Sequence, residues 1–130
     1  MYVSLTSEQI IQIHDMQLAE TGGLSGIKER GYIDLLSEKP FSTLFGEEQY
    51  PGLFLKAAVL MHGIISAHCF NDCNKRTAVV CTYTFLYLNG YELIADQDEL
   101  FEVTIRVATK KIDLHKLSYW LQKNTRRIIE

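Results

Sequence analysis

The sequence predicts a largely helical fold on three observations. Apolar residues recur at helical spacing through most of the chain. Capping residues precede several of these stretches, namely the run TSEQ at residues 6–9, Asp96 and Asp113. The pairs Gly22-Gly23 and Asn89-Gly90 follow two of them, as is typical where helices end. Together these signals divide the chain into helices joined by short links.

The first helix is predicted to begin at the TSEQ capping box, in which the Thr6 hydroxyl and the Gln9 amide satisfy each other's backbone donors. Its inward face would carry Ile10, Ile13, His14 and Leu18. We interpret His14, on this apolar face, as a hydrogen-bonded packing residue. A second, short helix is predicted over residues 31–37, with Pro40 as its stop.

The middle of the chain is predicted to hold two core helices. Residues 53–67 are rich in alanine, leucine, isoleucine and methionine almost all round, which indicates a central helix buried on most of its faces. Residues 74–88 repeat apolar side chains at helical spacing and end at Asn89-Gly90. Residues 41–52 mix aromatics, glycines and a proline without a period, so we predict a loop or partial hairpin that can lie over a site.

The C-terminal third is predicted to contain two more helices. A short strand is suggested at residues 91–94, followed by a helix from Asp96 to Lys111 and a last helix from Asp113. Residues 103–107 are β-branched and resemble a strand, but acids early and lysines late in this stretch favour a helix. The basic tail at residues 125–127, Thr-Arg-Arg, is predicted to be a solvated end.

Length and composition limit the class of protein. The 130 residues fit one domain, residues 1–130, and 47% hydrophobic content is typical of a folded globule. The net charge of −3 gives no broad basic field, so direct nucleic-acid binding is not expected. The longest apolar stretch is far shorter than the roughly 20 residues of a membrane span. Three cysteines without a secretion signal indicate a reduced, cytoplasmic protein.

The nine residues HCFNDCNKR, at positions 68–76, hold most of the reactive side chains. A zinc site here would combine His68 and Asp72 with two cysteines, but a structural zinc site needs a second ligand pair elsewhere in the chain. A redox site is disfavoured because Cys69 and Cys73 do not form a C-x-x-C motif. We therefore interpret these cysteines as small packing residues.

A phosphate site is the third interpretation of the same residues. Residues 74–76 fall in the first turn of a predicted helix, where free N–H groups and a partial positive charge favour phosphate. Lys75 and Arg76 repel the helix dipole at this end, and a bound polyanion would remove that penalty. Two solvated cations at a helix start remain the alternative.

The neighbouring side chains have chemistry that suits a phosphate site. Mg²⁺ binds one or two carboxylates together with phosphate oxygens, so Asp72 is suited to hold it. Histidine changes charge near neutral pH, which suits His68 to act as a general base. Phe70 is predicted to plug the core beneath the loop, and Asn71 to hold the turn. The usual phosphate-binding motifs of kinases and P-loop proteins do not occur in the sequence.

HCFNDCNKR, followed by Thr-Ala, resembles the signature of the Fic/Doc family, H-x-F-x-[DE]-x-N-x-[KR], in its Doc (death-on-curing) form. The likeness continues in Ile13-His14-Asp15, Gly22-Gly23-Leu24, Tyr50-Pro51 and Phe85-Leu86 through Asn89-Gly90. It covers nearly the whole chain. The resemblance implies an all-α fold, a compact bundle of about six helices with the motif loop between two central helices.

The resemblance also implies a role for each motif residue. His68 would be the general base and Asp72 the Mg²⁺ ligand, while Asn74, Lys75 and Arg76 would grip the phosphates of ATP. Lysine at position 75, where Fic enzymes have glycine, would turn the nucleotide round and bring its terminal phosphate to the reaction. The implied function is a Doc-like toxin, a Mg-ATP-dependent protein kinase that phosphorylates a Thr or Ser hydroxyl on a translation factor, with elongation factor Tu as the expected target.

Two other functions stay open, a Fic-type AMP transferase and a degenerate, non-catalytic domain. Cys69 and Cys73 depart from the family, which often has proline or another apolar residue at the first position and glycine or alanine at the second. The chain has no [ST]-x-x-x-E-[GN] inhibitory motif. The expected restraint is therefore an antitoxin, whose C-terminal segment would bind as a helix in a groove.

Overall fold

The computed structural model describes residues 1–128, which are mainly helical. Residues 129 and 130, the end of the predicted domain, lie outside the described residues. Six α-helices occur in the described part: α1 Ser7–Thr21, α2 Arg30–Glu38, α3 Leu53–Ala67, α4 Asn74–Leu88, α5 Gln97–Ala108 and α6 Leu114–Lys123. The remaining elements are short: the 3₁₀ helix Lys39–Phe41, β1 Thr43–Leu44, β2 Glu47–Glu48, β3 Tyr91–Leu93 and β4 Thr125–Arg127. The predicted all-α bundle of about six helices is confirmed.

The core is built around α3, which other helices enclose. This helix packs against α4 and α6 and also contacts α5, α2 and the 3₁₀ helix. Gly63 lets α2 approach closely, because a Cβ at this position would overlap the Leu36 side chain. The enclosure explains why α3 is apolar on nearly every face. Within residues 1–128, no helix is both long enough and apolar enough to cross a membrane.

The helix ends follow the predicted caps at most positions and differ at α5. The capping box of α1 forms as predicted, with Gln9 N–H donating to Thr6 Oγ1 at 3.1 Å. Helix α5 ends at Ala108, before the predicted Lys111. Lys110 adopts a left-handed conformation, with φ 60°, and the Lys111 N–H donates to the Arg106 carbonyl at 2.8 Å. A lysine thus occupies the place that glycine usually takes after a helix, and the sequence carried no stop signal.

Two small antiparallel sheets lie outside the helices. Strands β1 and β2 form a hairpin, so the partial hairpin predicted within residues 41–52 is present. Strands β3 and β4 pair with Glu92 opposite Arg126. Residues 125–127, predicted as a solvated end, form strand β4, and both of its arginines are exposed. The pairing is reinforced by Arg126, whose guanidinium donates to Glu92 Oε1 at 2.7 Å.

A buried lysine ties the β1–β2 hairpin to the central helix. The side chain of Lys56, in the first turns of α3, is 1% exposed. Its Nζ donates to Glu48 Oε1 at 2.7 Å and to the Tyr50 carbonyl at 2.6 Å, and lies 5.7 Å from the centroid of the Phe41 ring. A buried ammonium needs such partners, because removing it from water without them is costly.

Replacing Glu48 with glutamine is expected to lower the free energy of unfolding by about 1–3 kcal/mol, because it leaves the buried Lys56 ammonium without its charged partner. Lys56→Met should cost less, since it removes the buried charge together with its need for a partner. Urea unfolding measures both variants. Glu47→Gln, on the same strand, is the control, and an equal loss in this control would show that the ion pair contributes nothing.

Candidate functional site

Helices α3 and α4 are joined by residues 68–73, which we call the motif loop. Its two end residues have left-handed backbones, with φ 49° at His68 and φ 65° at Cys73. Residues other than glycine seldom adopt left-handed backbone angles. Contacts elsewhere in the loop must therefore hold His68 and Cys73 in this conformation. These contacts come from α1, from α4 and from residues 22–29.

The inner part of the motif loop is fixed through Phe70. Its side chain is 1% exposed, and its ring stacks on the His14 ring with centroids 3.8 Å apart and planes 5° from parallel. The Asn74 side chain holds both backbone groups of Phe70, accepting from its N–H at 3.2 Å and donating to its carbonyl at 3.0 Å. The first residue of α4 thus locks the loop that precedes it.

The outer part of the motif loop rests on residues 22–29, which we call the glycine-rich loop. The Lys28 N–H donates to the Cys69 carbonyl at 2.7 Å, and the Asn71 N–H donates to the Gly26 carbonyl at 3.1 Å. Asn71 also donates through its amide to the Ser25 carbonyl at 2.9 Å. The two loops therefore form one hydrogen-bonded unit.

Asp72 presents an exposed carboxylate that the backbone holds in place. Cys73 N–H donates to Oδ1 at 2.8 Å and Leu24 N–H donates to Oδ2 at 3.3 Å. These two hydrogen bonds lower the pKa of Asp72 below its usual value, and the positive charge of Arg76 adds to the effect. The carboxylate is therefore ionised at neutral pH, and each oxygen keeps lone pairs for a further ligand.

The Asp72 carboxylate suits a hard cation whose remaining ligands are phosphate oxygens and water. No group of three or more His, Cys, Asp or Glu side chains with metal-binding geometry occurs within residues 1–128. A dedicated zinc site is thus not built there. A single carboxylate beside an anion site is the arrangement in which Mg²⁺ binds with phosphate oxygens and water.

Helix α4 begins beside this carboxylate with an open N-terminus. No side chain caps it, and the first backbone donor of the helix with a carbonyl partner is Thr77 N–H, which bonds Cys73 O at 2.9 Å. In the part of the chain that the structure describes, the N–H groups of residues 74–76 have no such partner. Lys75 is exposed, and Arg76 Nη1 donates to the Thr21 hydroxyl at the end of α1. The arrangement suits a polyanion.

A cavity of about 310 Å³ lies over the motif loop. Its lining consists of Ile65, His68, Asn71, Asp72, Cys73, Asn74, Lys75, Arg76, Phe101 and Ala108. The exposed His68 ring makes no hydrogen bond within residues 1–128, so both nitrogens are available to a bound molecule. A possible base, a carboxylate and two cations therefore share one concave surface.

A second cavity, of about 550 Å³, adjoins the first on the side of α5. Both cavities are lined by Lys75, Arg76 and Phe101, whereas His68 and Asp72 line only the first. The second also reaches Gln97, Asp98 and Thr104. The two cations thus line both the cavity that contains His68 and Asp72 and the larger cavity beside it.

The structure brings together all but one of the predicted site residues. His68, Asn71, Asp72, Asn74, Lys75 and Arg76 line the first cavity, while Phe70 lies beneath it in the core. The amide atoms of Asn74 are both bonded to Phe70, which leaves its backbone N–H for an anion. Phe101 and Thr21 escaped the sequence analysis, because nothing local marks an aromatic on α5 or a threonine before Gly22 as part of a site.

The three cysteines differ in environment. Cys69 and Cys81 are buried, and burial raises the pKa of both thiols, to about 12 for Cys81. Cys73 is half-buried, with its Sγ 3.9 Å from both Arg76 Nη1 and Thr21 Oγ1. The two buried thiols are packing residues, whereas Cys73 forms part of the cavity wall.

Gly23→Ala is expected to disturb Asp72, whereas Gly22→Ala should not. A Cβ at Gly23 would lie 2.6 Å from Asp72 Oδ2, and φ 130° is strained for any other residue. At Gly22, φ is 72° and nothing lies within 4 Å of the added Cβ. We expect losses in free energy of unfolding of about 1 kcal/mol for Gly22→Ala and of roughly 3 kcal/mol for Gly23→Ala. Urea unfolding would measure these losses, and Mg-ATP titration would measure the disturbance at Asp72. Equal losses in the two variants would contradict the prediction.

Cys73→Gly is expected to raise the free energy of unfolding by up to about 1 kcal/mol. The residue holds φ 65°, which glycine adopts freely and cysteine does not. Cys73→Ala is the matched control, because it removes the thiol and keeps the steric cost of a Cβ. Thermal unfolding compares the three proteins. If the alanine variant is as stable as the glycine variant, the backbone strain is not the cause.

Comparison with known proteins places these features in a family. The sequence matches the model of the Fic/DOC family over residues 4–86. "Toxin Doc" of Mycolicibacterium smegmatis is 35% identical over 99 residues, which cover 75% of this chain and 76% of that protein. "Protein kinase doc" of Escherichia phage P1 is 29% identical over 119 residues, which cover 92% and 93% of the two chains. The chain therefore belongs to the Fic/Doc family.

Proposed function

We propose that this protein is a Doc-like toxin, a Mg-ATP-dependent protein kinase that phosphorylates a Thr or Ser hydroxyl on a translation factor. The observation that carries the proposal is the single cavity in which His68 and Asp72 face the open N-terminus of α4 with its two cations. The names of two relatives, a toxin and a protein kinase, agree with it. Elongation factor Tu is the expected target.

His68 acts as the general base in this proposal. Its ring lines the cavity and is not engaged by other described side chains, so it can accept the proton of an incoming hydroxyl. The hydroxyl oxygen then forms a bond to the terminal phosphorus of ATP, while the bond from that phosphorus to the bridging oxygen breaks. The products are a phosphorylated protein, ADP and a protonated His68.

Asp72 would hold Mg²⁺ at the edge of the same cavity. Its ionised carboxylate is fixed by two N–H donors and supplies the hard oxygen ligand that this ion prefers. When bound, Mg²⁺ would neutralise part of the negative charge on the phosphates. The backbone hydrogen bonds keep the exposed carboxylate at the lining of the cavity.

The start of α4 would hold the phosphates. The N–H groups of residues 74–76 supply aligned donors, Lys75 a mobile charge and Arg76 a planar pair of donors. Asn74 takes part through its backbone N–H, and its side chain keeps the motif loop in shape by bonding Phe70. Phosphoryl transfer asks mainly for such positioning and charge neutralisation.

The order of the two cavities favours transfer of the terminal phosphate over transfer of AMP. With the terminal phosphate beside His68, the other phosphates would pass Lys75 and Arg76, and the nucleoside would occupy the larger cavity beyond them. In AMP transfer, the phosphorus next to the nucleoside would have to lie beside His68. The nucleoside would then lie next to His68, and the outer phosphates rather than the nucleoside would extend toward the larger cavity.

The partner that restrains the toxin would be an antitoxin whose C-terminal segment binds as a helix in a groove. A groove of suitable character runs along α1, with a volume of about 460 Å³. Its lining combines the apolar residues Ile11, Met16 and Ala19 with the polar or charged residues Glu8, Gln12, Asp15 and Arg30. An amphipathic helix matches this pattern.

One experiment separates the candidate functions. The protein is incubated with Mg-ATP and elongation factor Tu, and the mass added to the target is read by mass spectrometry. A phosphate-sized increment supports the kinase, and a nucleotide-sized increment supports the AMP transferase. If ATP binds but this target stays unmodified while a cell extract yields no labelled protein, the degenerate, non-catalytic domain is the better description.

A further inference from the structure

His14 joins helix α1 to the motif loop from below. Its side chain is 1% exposed, yet both ring nitrogens have oxygen partners. Nε2 lies 2.9 Å from the Asp72 carbonyl oxygen, and Nδ1 lies 3.2 Å from Asp15 Oδ1. A carbonyl oxygen only accepts, so Nε2 carries the hydrogen and donates it to Asp72. This contact spans 58 positions of the sequence.

The ring of His14 is also fixed on its face, by the parallel stack on Phe70 at 3.8 Å. A packing residue would need only this stack, and any apolar ring could supply it. The hydrogen bond to Asp72 is a separate feature. It acts on the backbone of the residue whose carboxylate faces the cavity.

The peptide group between Asp72 and Cys73 is held at both ends. Its carbonyl oxygen accepts from His14 Nε2, and its N–H donates to the Asp72 carboxylate at 2.8 Å. This peptide must stay in place for Cys73 to keep φ 65°, a conformation that is unfavourable for a cysteine. Without the His14 bond, the peptide would be free to rotate toward a more favoured φ, and the carboxylate would lose its N–H partner.

We propose that His14 is a positioning residue of the site, which fixes the direction of the Asp72 carboxylate by holding the Asp72 carbonyl. The proposal rests on the proposed function in so far as Asp72 binds the cation there. It assigns His14 no contact with substrate. The residue acts through the backbone of the motif loop, whereas the other α1 side chain at this loop, Thr21, meets the Cys73 side chain instead, with its hydroxyl 3.9 Å from Sγ.

Two substitutions separate positioning from packing. His14→Gln places an amide N–H near the position of Nε2 and can keep the bond to the Asp72 carbonyl. His14→Leu keeps apolar bulk against Phe70 and removes the donor. Ile10→Val is the control, because Ile10 is fully buried one turn earlier on the same helix and its side chain has no hydrogen-bonding group.

Amide hydrogen exchange gives a readout that does not depend on catalysis. The amides to follow are those of Cys73 and Leu24, which donate to the Asp72 carboxylate. In His14→Leu we expect both to exchange roughly tenfold faster, the factor that corresponds to loss of one hydrogen bond. In His14→Gln and Ile10→Val they should exchange within about threefold of wild type. His14→Met replaces the leucine variant if that variant does not fold.

Magnesium dependence provides the second readout. For His14→Leu we expect the Mg²⁺ concentration that half-saturates phosphate transfer to rise roughly tenfold, with a smaller change in the rate at saturating Mg²⁺. His14→Gln should restore the wild-type value. A merely structural role would move the rate and the stability without this selective shift in Mg²⁺ dependence.

The two readouts keep the proposal distinct from the proposed function. If wild type transfers no phosphate, the proposed function fails, and the exchange measurement still decides whether His14 holds the loop. Unchanged exchange of Cys73 and Leu24 in His14→Leu would overturn the proposal. Equal acceleration in the glutamine and leucine variants would overturn it as well, because the ring rather than the donated hydrogen bond would then be responsible.

Discussion

Replacing His68 with alanine is expected to slow phosphate transfer by about 10²–10⁴-fold, the usual contribution of a general base. Nucleotide binding and folding should stay near wild type. The ring lines the cavity without supporting any neighbour through a hydrogen bond in the described residues, so its removal takes away a proton acceptor and little else. The measurement is the initial rate of target phosphorylation, with ATP affinity and thermal unfolding determined on the same preparation.

His62→Ala is the matched control for this prediction. His62 lies on α3, six residues before His68, is half-buried, and does not line either cavity at the motif. The control should modify the target at nearly the wild-type rate. Should His68→Ala transfer phosphate as fast as wild type, the assignment of the base is wrong and another proton acceptor must be sought.

The helical fold could be predicted because its signals are local. The Thr6 box, the caps Asp96 and Asp113 and the apolar spacing of α3 each act within a few residues, and each forms as predicted. The end of α5 was placed too late because Lys110 gives no local stop signal, and strand β4 was missed because it depends on a distant segment. Strand β4 exists because β3 offers it a partner more than 30 positions away, as the pairing of Glu92 with Arg126 illustrates. The residues Thr-Arg-Arg alone contain no sign of this pairing.

The candidate site shows the same division between local and distant effects. The free N-terminus of α4 and the cations after it follow from helix geometry and the sequence, and they could be predicted. The bonds that orient Asp72 could not, since they come from Leu24 in a loop and His14 in α1. One signal was available for His14: a histidine on an apolar helix face needs a polar partner, although the sequence cannot say which.

Asn74 illustrates how structure redistributes a role. From its place in the motif, its side chain belongs to the phosphate grip. In the structure both amide atoms are bonded to Phe70, so the side chain is held against the loop and only the second hydrogen of its NH2 group is left for a further partner. The Asn74 side chain strongly constrains the motif loop, because it satisfies both the backbone N–H and the backbone carbonyl of Phe70.

Replacing Arg76 with alanine is expected to weaken ATP binding roughly 10- to 100-fold and to slow transfer as well. Arg76 lines both cavities, so its guanidinium can contact phosphates in the ground state and during the reaction. A charge-assisted hydrogen bond contributes about 1.5–3 kcal/mol, which gives this range of affinities. Arg76→Lys should recover only part of the loss, because a lysine keeps the charge without the planar pair of donors. Isothermal titration with Mg-ATP measures the affinity.

The Thr21 hydroxyl offers a sharper control on the same arginine. It accepts a hydrogen bond from Arg76 Nη1 while donating to the Gln17 carbonyl at 2.9 Å, so it aims the guanidinium toward the cavity from the end of α1. Thr21→Val keeps the shape of the side chain and removes the hydroxyl. We expect this variant to lose several-fold in ATP affinity, less than Arg76→Ala, and to lose nothing further when combined with it. Additive losses in the double variant would mean that Thr21 contributes independently of Arg76, and that the orientation of the guanidinium has another cause.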